Sequence, residues 1–297
     1  MQAIGIDIGG TNIKGVLVND DGTILHEMQC ATNAKEANGW KSAVAEMLYQ
    51  LRQKTTGENI PVGLSAPGLA SHNNDCIKLM PGRLEGLENF RWTNYLKTPT
   101  WVLNDAHAAL MAEAKFGAGK GCQHIVLLTL GTGVGGGIMI NGVLHQGLLN
   151  RAGHMGHVML NADSDTCDIT NMPASLEDAI GDCSIERRSF GKFTSTYELV
   201  QAYKAGNTFA TYVWLHAVKR LAVALCSFIN IISPDMIILG GGIAQAGDDL
   251  FKPLDSFMNI FEWRHSGIRT PVVQAVFDEY SGAAGAAGFA LHKTLPH

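Results

Sequence analysis

Two glycine-rich hairpins, about 120 residues apart, constrain this chain more than any other feature of it. The first runs from Ala3 to Lys14 as Ala-Ile-Gly-Ile-Asp-Ile-Gly-Gly-Thr-Asn-Ile-Lys, then through Asp21-Gly22 into Thr23–Met28. The second runs from His124 to Gly133 as His-Ile-Val-Leu-Leu-Thr-Leu-Gly-Thr-Gly, then through Asn141-Gly142 into Val143–Gln146. Each is an apolar strand, a Gly/Thr turn, a second apolar strand, an Asp-Gly or Asn-Gly turn and a short third strand. The two kinds of turn repeat at one matched offset, which argues for a duplicated unit facing itself across a cleft.

Such turns suit phosphate. Without a Cβ, glycine lets backbone N–H groups converge on an anion, and a Thr hydroxyl adds a donor. Lys14 is the nearest point charge, and Asp7 at the end of the first strand is placed to hold a metal through water. Ordinary tight hairpins are the alternative for either turn taken alone. Neither turn is a GxxxxGK[ST] loop or a GxGxxG leading into a helix, so P-loop and Rossmann readings fall away.

A chain of 297 residues, 46% hydrophobic and 16% charged, has room for two α/β lobes with real cores. A net charge of −5 gives no general attraction to nucleic acid or anionic membrane, so neither is expected as a partner. The six cysteines are scattered with no CxxC pair, the N-terminus enters a strand at once, and no apolar stretch is expected to reach the length of a membrane span. A cytoplasmic protein with reduced thiols is the expectation.

Apolar spacing predicts helices over 39–54, 106–116, 175–181, 195–205, 209–230 and 248–258. Buried strands are expected over 60–68, broken by Pro67-Gly68, over 100–105, and over 236–242, which ends in a glycine turn. Residues 84–96 read as a loop and short helix anchored by Phe90 and Trp92. The cluster Gly117-Ala-Gly119-Lys-Gly121 marks a lobe boundary. The tail over 282–292 is a small-residue helix whose glycines require close contact with a neighbour.

With these pieces in order, the chain resembles the ROK family of sugar kinases and sugar-responsive repressors, part of the actin/hexokinase superfamily. The matching segments are Asp7–Lys14, Gly63-Leu-Ser-Ala-Pro-Gly68, Leu103-Asn-Asp-Ala106, Leu130-Gly-Thr-Gly-Val-Gly-Gly136, Gly153-His-Met-Gly-His157 and Leu239-Gly-Gly-Gly242. The resemblance implies an α/β fold of two ribonuclease H-like, actin/hexokinase-type lobes facing a central cleft. Residues 1–116 would form one lobe, with the helix over 282–297 packing back on it, and 117–281 the other.

The same resemblance implies ATP and magnesium as cofactors, a hexose as substrate and a homodimer. Asp7, Gly9, Gly10, Thr11, Asn12 and Lys14 would form the first phosphate loop, with Asp7 holding Mg through water. Gly131, Thr132 and Gly133 would form the second, and Gly241-Gly242 the adenosine contact. A side chain at Gly133 is expected to block the nucleotide's approach to the backbone. Ser65, Ala66, Pro67, Gly68, Asn104, Asp105, His154, His157 and Glu177 would face the sugar, with Asp105 as catalytic base. The lobes would close on the sugar and exclude water. The family's repressors carry an N-terminal helix-turn-helix, for which no element is expected before the first strand here.

Two departures from the family pattern matter. His154 stands where GExGH has its Glu. The zinc loop CxCGxxGCxE aligns to residues 168–177, which places Asp168, Thr170 and Ser175 at its cysteines and Cys167 one position out of register. A tetrahedral thiolate site cannot be assembled from these, so no zinc is expected and His157 would offer both ring nitrogens to sugar. Packing and hydrogen bonds, with Pro173 as a stiffener, would then order residues 161–175.

Several residues carry a second reading. Asp105 follows a strand and precedes a helix, where an N-cap is also expected. His154 and His157, three apart, could be sugar ligands, a structural pair or two metal ligands, though no third ligand has suitable spacing. Glu177 also suits a helix N-terminus. Arg187 and Arg188 read as solvated rather than phosphate-binding, and Gly240–Gly242 as either a connection or a nucleotide contact.

The expected activity is ATP- and Mg-dependent phosphorylation of a hexose primary hydroxyl. Glucose comes first, then N-acetylated hexosamines, fructose and allose. A non-catalytic sugar or sugar-phosphate sensor without a DNA-binding domain is the rival.

Overall fold

The computed structural model describes residues 1–32, 39–57, 59–80, 84–265 and 267–294. They pack as two units, one of Met1–Gly121, Leu144–Ala152 and Val276 onward, the other of Cys122–Val143 and Gly153–Ala275. The division lies at Gly121 rather than at the expected residue 116. The glycine segment stays with the helix before it, because the Gly117 and Gly119 N–H groups donate to the Glu113 carbonyl and Ala118 N–H to its carboxylate. Residues 144–152 also join the first unit. There Asn150 Nδ2 donates to the Ser71 carbonyl at 2.6 Å and a His107 ring nitrogen meets the Ala152 carbonyl at 2.9 Å.

The first unit runs β1 (Gln2–Ile8), β2 (Asn12–Asn19), β3 (Ile24–Ala31), α1 (Gly39–Arg52), β4 (Val62–Ala66), β5 (Leu69–Ala70), β6 (Ile77–Leu79), α2 (Trp92–Leu96), β7 (Thr100–Asn104) and α3 (Asp105–Phe116). Its main sheet has the order β3-β2-β1-β4-β7, antiparallel through the hairpins and parallel from β1 onward. Val44, Met47, Leu48 and Leu51 recur at helical spacing on α1 and are buried in the core of this unit with Ile4, Ile6 and Leu17 of the hairpin. Trp92 is fully buried, edge-on to Phe90 at 4.9 Å and to Trp40 at 5.6 Å.

The second unit runs β8 (Ile125–Leu130), β9 (Val134–Ile140), β10 (Val143–Leu144), α4 (Leu176–Ile180), α5 (Ile185–Arg188), α6 (Thr196–Lys204), α7 (Thr208–Ile232), β11 (Met236–Gly240), α8 (Asp248–Phe261) and β12 (Val272–Gln274). Its sheet order, β10-β9-β8-β11-β12, repeats that of the first unit strand for strand. Asn141 and Gly142 take φ of 52° and 72°, the left-handed pair that a two-residue hairpin turn requires. One expectation fails here. By length and composition α7 is apolar enough to cross a membrane, with a window of mean hydropathy 1.6. Its apolar face, including Trp214, Val218, Leu221 and Leu225, is instead the buried centre of this unit.

The last element, α9 (Ser281–Thr294), returns to the first unit and lies against β1, β4 and α3. The approach is backbone to backbone. A Cβ on Gly5 would sit 1.8 Å from the Ala283 carbonyl oxygen, one on Gly63 1.9 Å from that of Ala286, and one on Gly285 1.7 Å from that of Ala108. Glycine is required at all three, and at Gly285 the close contact accounts for a residue that propagates helix poorly.

Candidate active site

In the first unit, Asp7 sits on β1 in register with Lys14 of β2 and Ser65 of β4. Beyond it the chain turns through Gly9–Asn12, closed by Gly9 N–H donating to the Asn12 carbonyl at 3.0 Å. Thr32 braces the turn from behind, its hydroxyl donating to the Gly9 carbonyl and its N–H to that of Thr11. Gly10 and Thr11 are exposed, and nothing lies within 4 Å of where a Gly10 Cβ would be. The turn is therefore open on the side an anion would approach.

Burial pushes the Asp7 carboxyl up to about 6, with the Ser65 hydroxyl and Lys14 pulling it down and the Asp105 charge pushing it further up. Its Cγ lies 2.6 Å from where a Cβ on Gly282, in the first turn of α9, would be. The Lys14 ammonium is directed at the segment before α9. It donates to the Glu279 carboxylate at 2.8 Å and lies 5.5 Å from the centre of the Tyr280 ring.

The strand-to-helix junction separates two polar residues that the sequence places side by side. Asn104, not Asp105, is the N-cap of α3: its Oδ1 accepts from the N–H groups of Ala106 and His107, while its Nδ2 donates to the Gly68 carbonyl at 2.9 Å. Asp105 becomes the first helical residue, with an exposed side chain whose Oδ1 also accepts from Ala106 N–H. Of the four residues expected from β4 and its turn, Ser65 and Ala66 are fully buried, and Pro67 and Gly68 reach the surface.

In the second unit, the turn Gly131–Gly133 is held by the chain that follows α4. The Asp182 and Cys183 N–H groups donate to the Gly131 and Thr132 carbonyls, both at 2.9 Å. The turn at Gly241 meets it: φ is 84° there, and a Cβ would lie 2.4 Å from the Leu130 carbonyl oxygen, so only glycine lets β11 end beside β8. Gly131, Thr132 and Gly242 then share a cavity of about 410 Å³ with Thr196, Tyr197 and Gln201 of α6. Sequence reasoning singled out these glycines and not α6, whose polar face looks like any solvated one.

Gly133 has a different neighbour from the one expected. A Cβ there would lie 2.3 Å from Glu177 Oε2, so a side chain would strike that carboxylate. Glu177 is 6% exposed, and its Oε1 is buried without a hydrogen-bond partner among the described residues. A hydroxyl-bearing ligand could supply one.

His154 precedes and His157 ends a single 3₁₀ turn, Met155–His157, with rings parallel and 6.2 Å apart. His157 Nδ1 lies 3.4 Å from the Thr170 hydroxyl and 3.8 Å from Asp168 Oδ2. Only Nε2 therefore remains for a sugar, not both nitrogens. The missing third ligand also exists in space, although His154 is not part of the group: ligand atoms of His157, Asp168 and Glu177 lie within 4.8 Å of one another. Burial raises the Asp168 carboxyl, but hydrogen bonds from Ser175, Thr170 and Met172 outweigh it and hold the group below the usual carboxylate range. Arg188 is not solvated as expected. It donates to the Ser184 hydroxyl and to the Ile180 and Gly181 carbonyls, and burial lowers its guanidinium to about 10. Arg187 pairs with Asp178.

The ROK family model matches residues 3–293. A glucokinase of Thermotoga maritima is 31% identical over 314 aligned positions, spanning 97% of this chain and 96% of its own length. An N-acetylmannosamine kinase of Vibrio cholerae is 30% identical over 275 positions, spanning 88% and 92%. Among solved structures, a ROK family glucokinase from Streptomyces griseus in complex with glucose and AMPPNP superposes with a TM-score of 0.78 at 24% identity, covering 98% of this chain and all of its own. That structural likeness carries the fold. Matched from its first strand to its last helix, this chain belongs to the ROK family.

Proposed function

We propose that this ROK sugar kinase transfers the γ-phosphoryl group of ATP to a primary hydroxyl of a hexose, with Asp105 as general base. One observation carries the assignment of the base. Asn104 is the N-cap of α3, and Asp105 presents an exposed carboxylate at the end of a buried strand. Such a group can orient a hydroxyl and take its proton as the oxygen attacks phosphorus and the bond to ADP breaks.

The two glycine turns would hold the phosphates through backbone N–H groups, with Thr11 and Lys14 adding a hydroxyl and a charge. The 410 Å³ cavity beside Gly242 would take the adenosine. Glu177 Oε1, His157 Nε2 and the turn at Pro67-Gly68 would bond sugar hydroxyls. Asp7 fits a magnesium ion carried by the nucleotide, because a carboxylate raised by burial and by Asp105 is one that a divalent cation would re-ionise. Magnesium there supplies neutralisation of phosphate charge.

The relatives named for glucose and N-acetylmannosamine support a hexose, and the AMPPNP complex supports ATP. We put glucose first, in a cytoplasmic homodimer. His154, in place of the family's Glu, favours the second reading, a sugar sensor without turnover. ADP release coupled to NADH oxidation, run across a hexose panel, decides between them. Sugar-dependent release, with ³¹P NMR placing the product ester on a primary carbon, is expected. Sugar binding without ADP release would leave only the sensor.

A further inference from the structure

Asp168 is the most connected carboxylate among the described residues outside the proposed chemistry, and its side chain is fully buried. Oδ1 accepts from the Thr170 hydroxyl at 2.7 Å, Thr170 N–H at 2.8 Å and Met172 N–H at 3.0 Å. Oδ2 accepts from the Ser175 hydroxyl at 2.5 Å and faces His157 Nδ1. Ser175 in turn is the N-cap of α4, accepting from Asp178 N–H at 3.0 Å, and α4 carries Glu177. Thr170 reaches His157 Nδ1 through its hydroxyl. One carboxylate thus joins the 168–172 turn, the start of α4 and the His157 ring.

Asp168, Thr170 and Ser175 occupy the positions aligned with the zinc loop's cysteines, and their geometry does not fit a metal. Oxygens bound tetrahedrally at about 2.1 Å from zinc stand roughly 3.4 Å apart. The Asp168–Ser175 and Asp168–Thr170 oxygen pairs are 2.5 and 2.7 Å apart, the spacing of two oxygens that share a proton. Ser175 also accepts from Asp178 N–H, and Cys167 turns its thiol to the Asp165 carbonyl.

We propose that Asp168 is a positioning residue, which orders this loop and fixes His157 and Glu177 by hydrogen bonding where a structural zinc would otherwise stand. The effect on sugar binding rests on the function proposed above; the ordering of the loop does not. The rival is a metal held by His157, Asp168 and Glu177, towards which the unpartnered Glu177 Oε1 would turn.

The test uses the full chain without ligands, before and after dialysis against a chelator. Metal content is measured by elemental analysis, and exchange of the Thr170, Met172 and Asp178 amides by NMR or mass spectrometry. We expect well below one metal per chain, protection unchanged by chelation, and at least tenfold faster exchange at these amides in Asp168→Asn. Thr170→Val, the milder change, should speed exchange at Thr170 and Met172. In the kinase assay both should raise KM for the hexose severalfold while KM for ATP stays within twofold. A stoichiometric metal whose removal deprotects these amides would overturn the proposal, as would Asp168→Asn retaining full protection. If the chain proves not to be a kinase, the exchange result still stands or fails by itself.

Discussion

The Val134 backbone N–H donates to Glu177 Oε2 at 2.9 Å, so the residue that closes the second glycine turn also fixes a carboxylate on α4. The residues proposed above for nucleotide and for sugar are therefore in contact within one unit. Gly133→Ala should raise KM for ATP and, by displacing Glu177, raise KM for the hexose about tenfold, the equivalent of about 1.4 kcal/mol. Gly131→Ala is its control, since nothing lies within 4 Å of a Cβ there. It should affect ATP alone. Unchanged hexose KM in Gly133→Ala would show that Glu177 does not bind the sugar.

Asp105→Asn should lower kcat by roughly two to four powers of ten, the usual scale for a general base, with little change in hexose affinity. Asn104→Ala should behave differently. It removes the cap of α3 and the bond to Gly68, and should cost about 1 to 2 kcal/mol of stability in denaturant unfolding. Near-normal turnover in Asp105→Asn would remove that residue from the mechanism.

Lys14, proposed above to meet phosphate, donates to Glu279, whose carboxylate is 62% exposed. An exposed partner adds little stability, but it competes for the charge that a triphosphate would use. Glu279→Gln should therefore lower KM for ATP two- to threefold, and Lys14→Met should raise it by about tenfold. Thr11→Val should raise it by a smaller factor, the worth of one hydrogen bond at about 1 kcal/mol. If Glu279→Gln weakens ATP instead, Glu279 is holding Lys14 in place rather than competing for it.

The glycines were legible because their reasons are local or nearly so. Strand, turn and strand announce the hairpins, and the glycines inside the helix at 282–292 call for close packing, which Gly285 meets against Ala108. Which of Asn104 and Asp105 caps α3 was not legible, since both are good caps and adjacent; the Gly68 carbonyl, 36 positions earlier, decides it. Lys14 and Glu279 are 265 positions apart, and no periodicity links them. In the sequence Asp168 shows only as a residue aligned with a cysteine of the zinc loop. Its partners at Thr170 and Ser175 lie in an irregular loop, where hydrogen bonding follows no repeat.

Asp7 gives the ligand-free protein a pH dependence of defined sign. Burial raises its folded carboxyl from 3.8 to about 6, so between these values the folded state keeps a proton that the unfolded state has released. Its contribution to stability is fully present below about pH 4 and is lost as pH rises through 6. A shift of this size corresponds to about 3 kcal/mol, reduced to about 2 for a group that solvent partly reaches. Asp7→Asn removes the titration while keeping the size of the side chain. The difference in unfolding free energy between variant and wild type should therefore move in the variant's favour by about 2 kcal/mol from pH 4 to pH 7. Magnesium with nucleotide should favour the ionised wild type and shrink that difference. Parallel stability profiles for the two proteins across this range would mean that the Asp7 carboxyl titrates as it would in water.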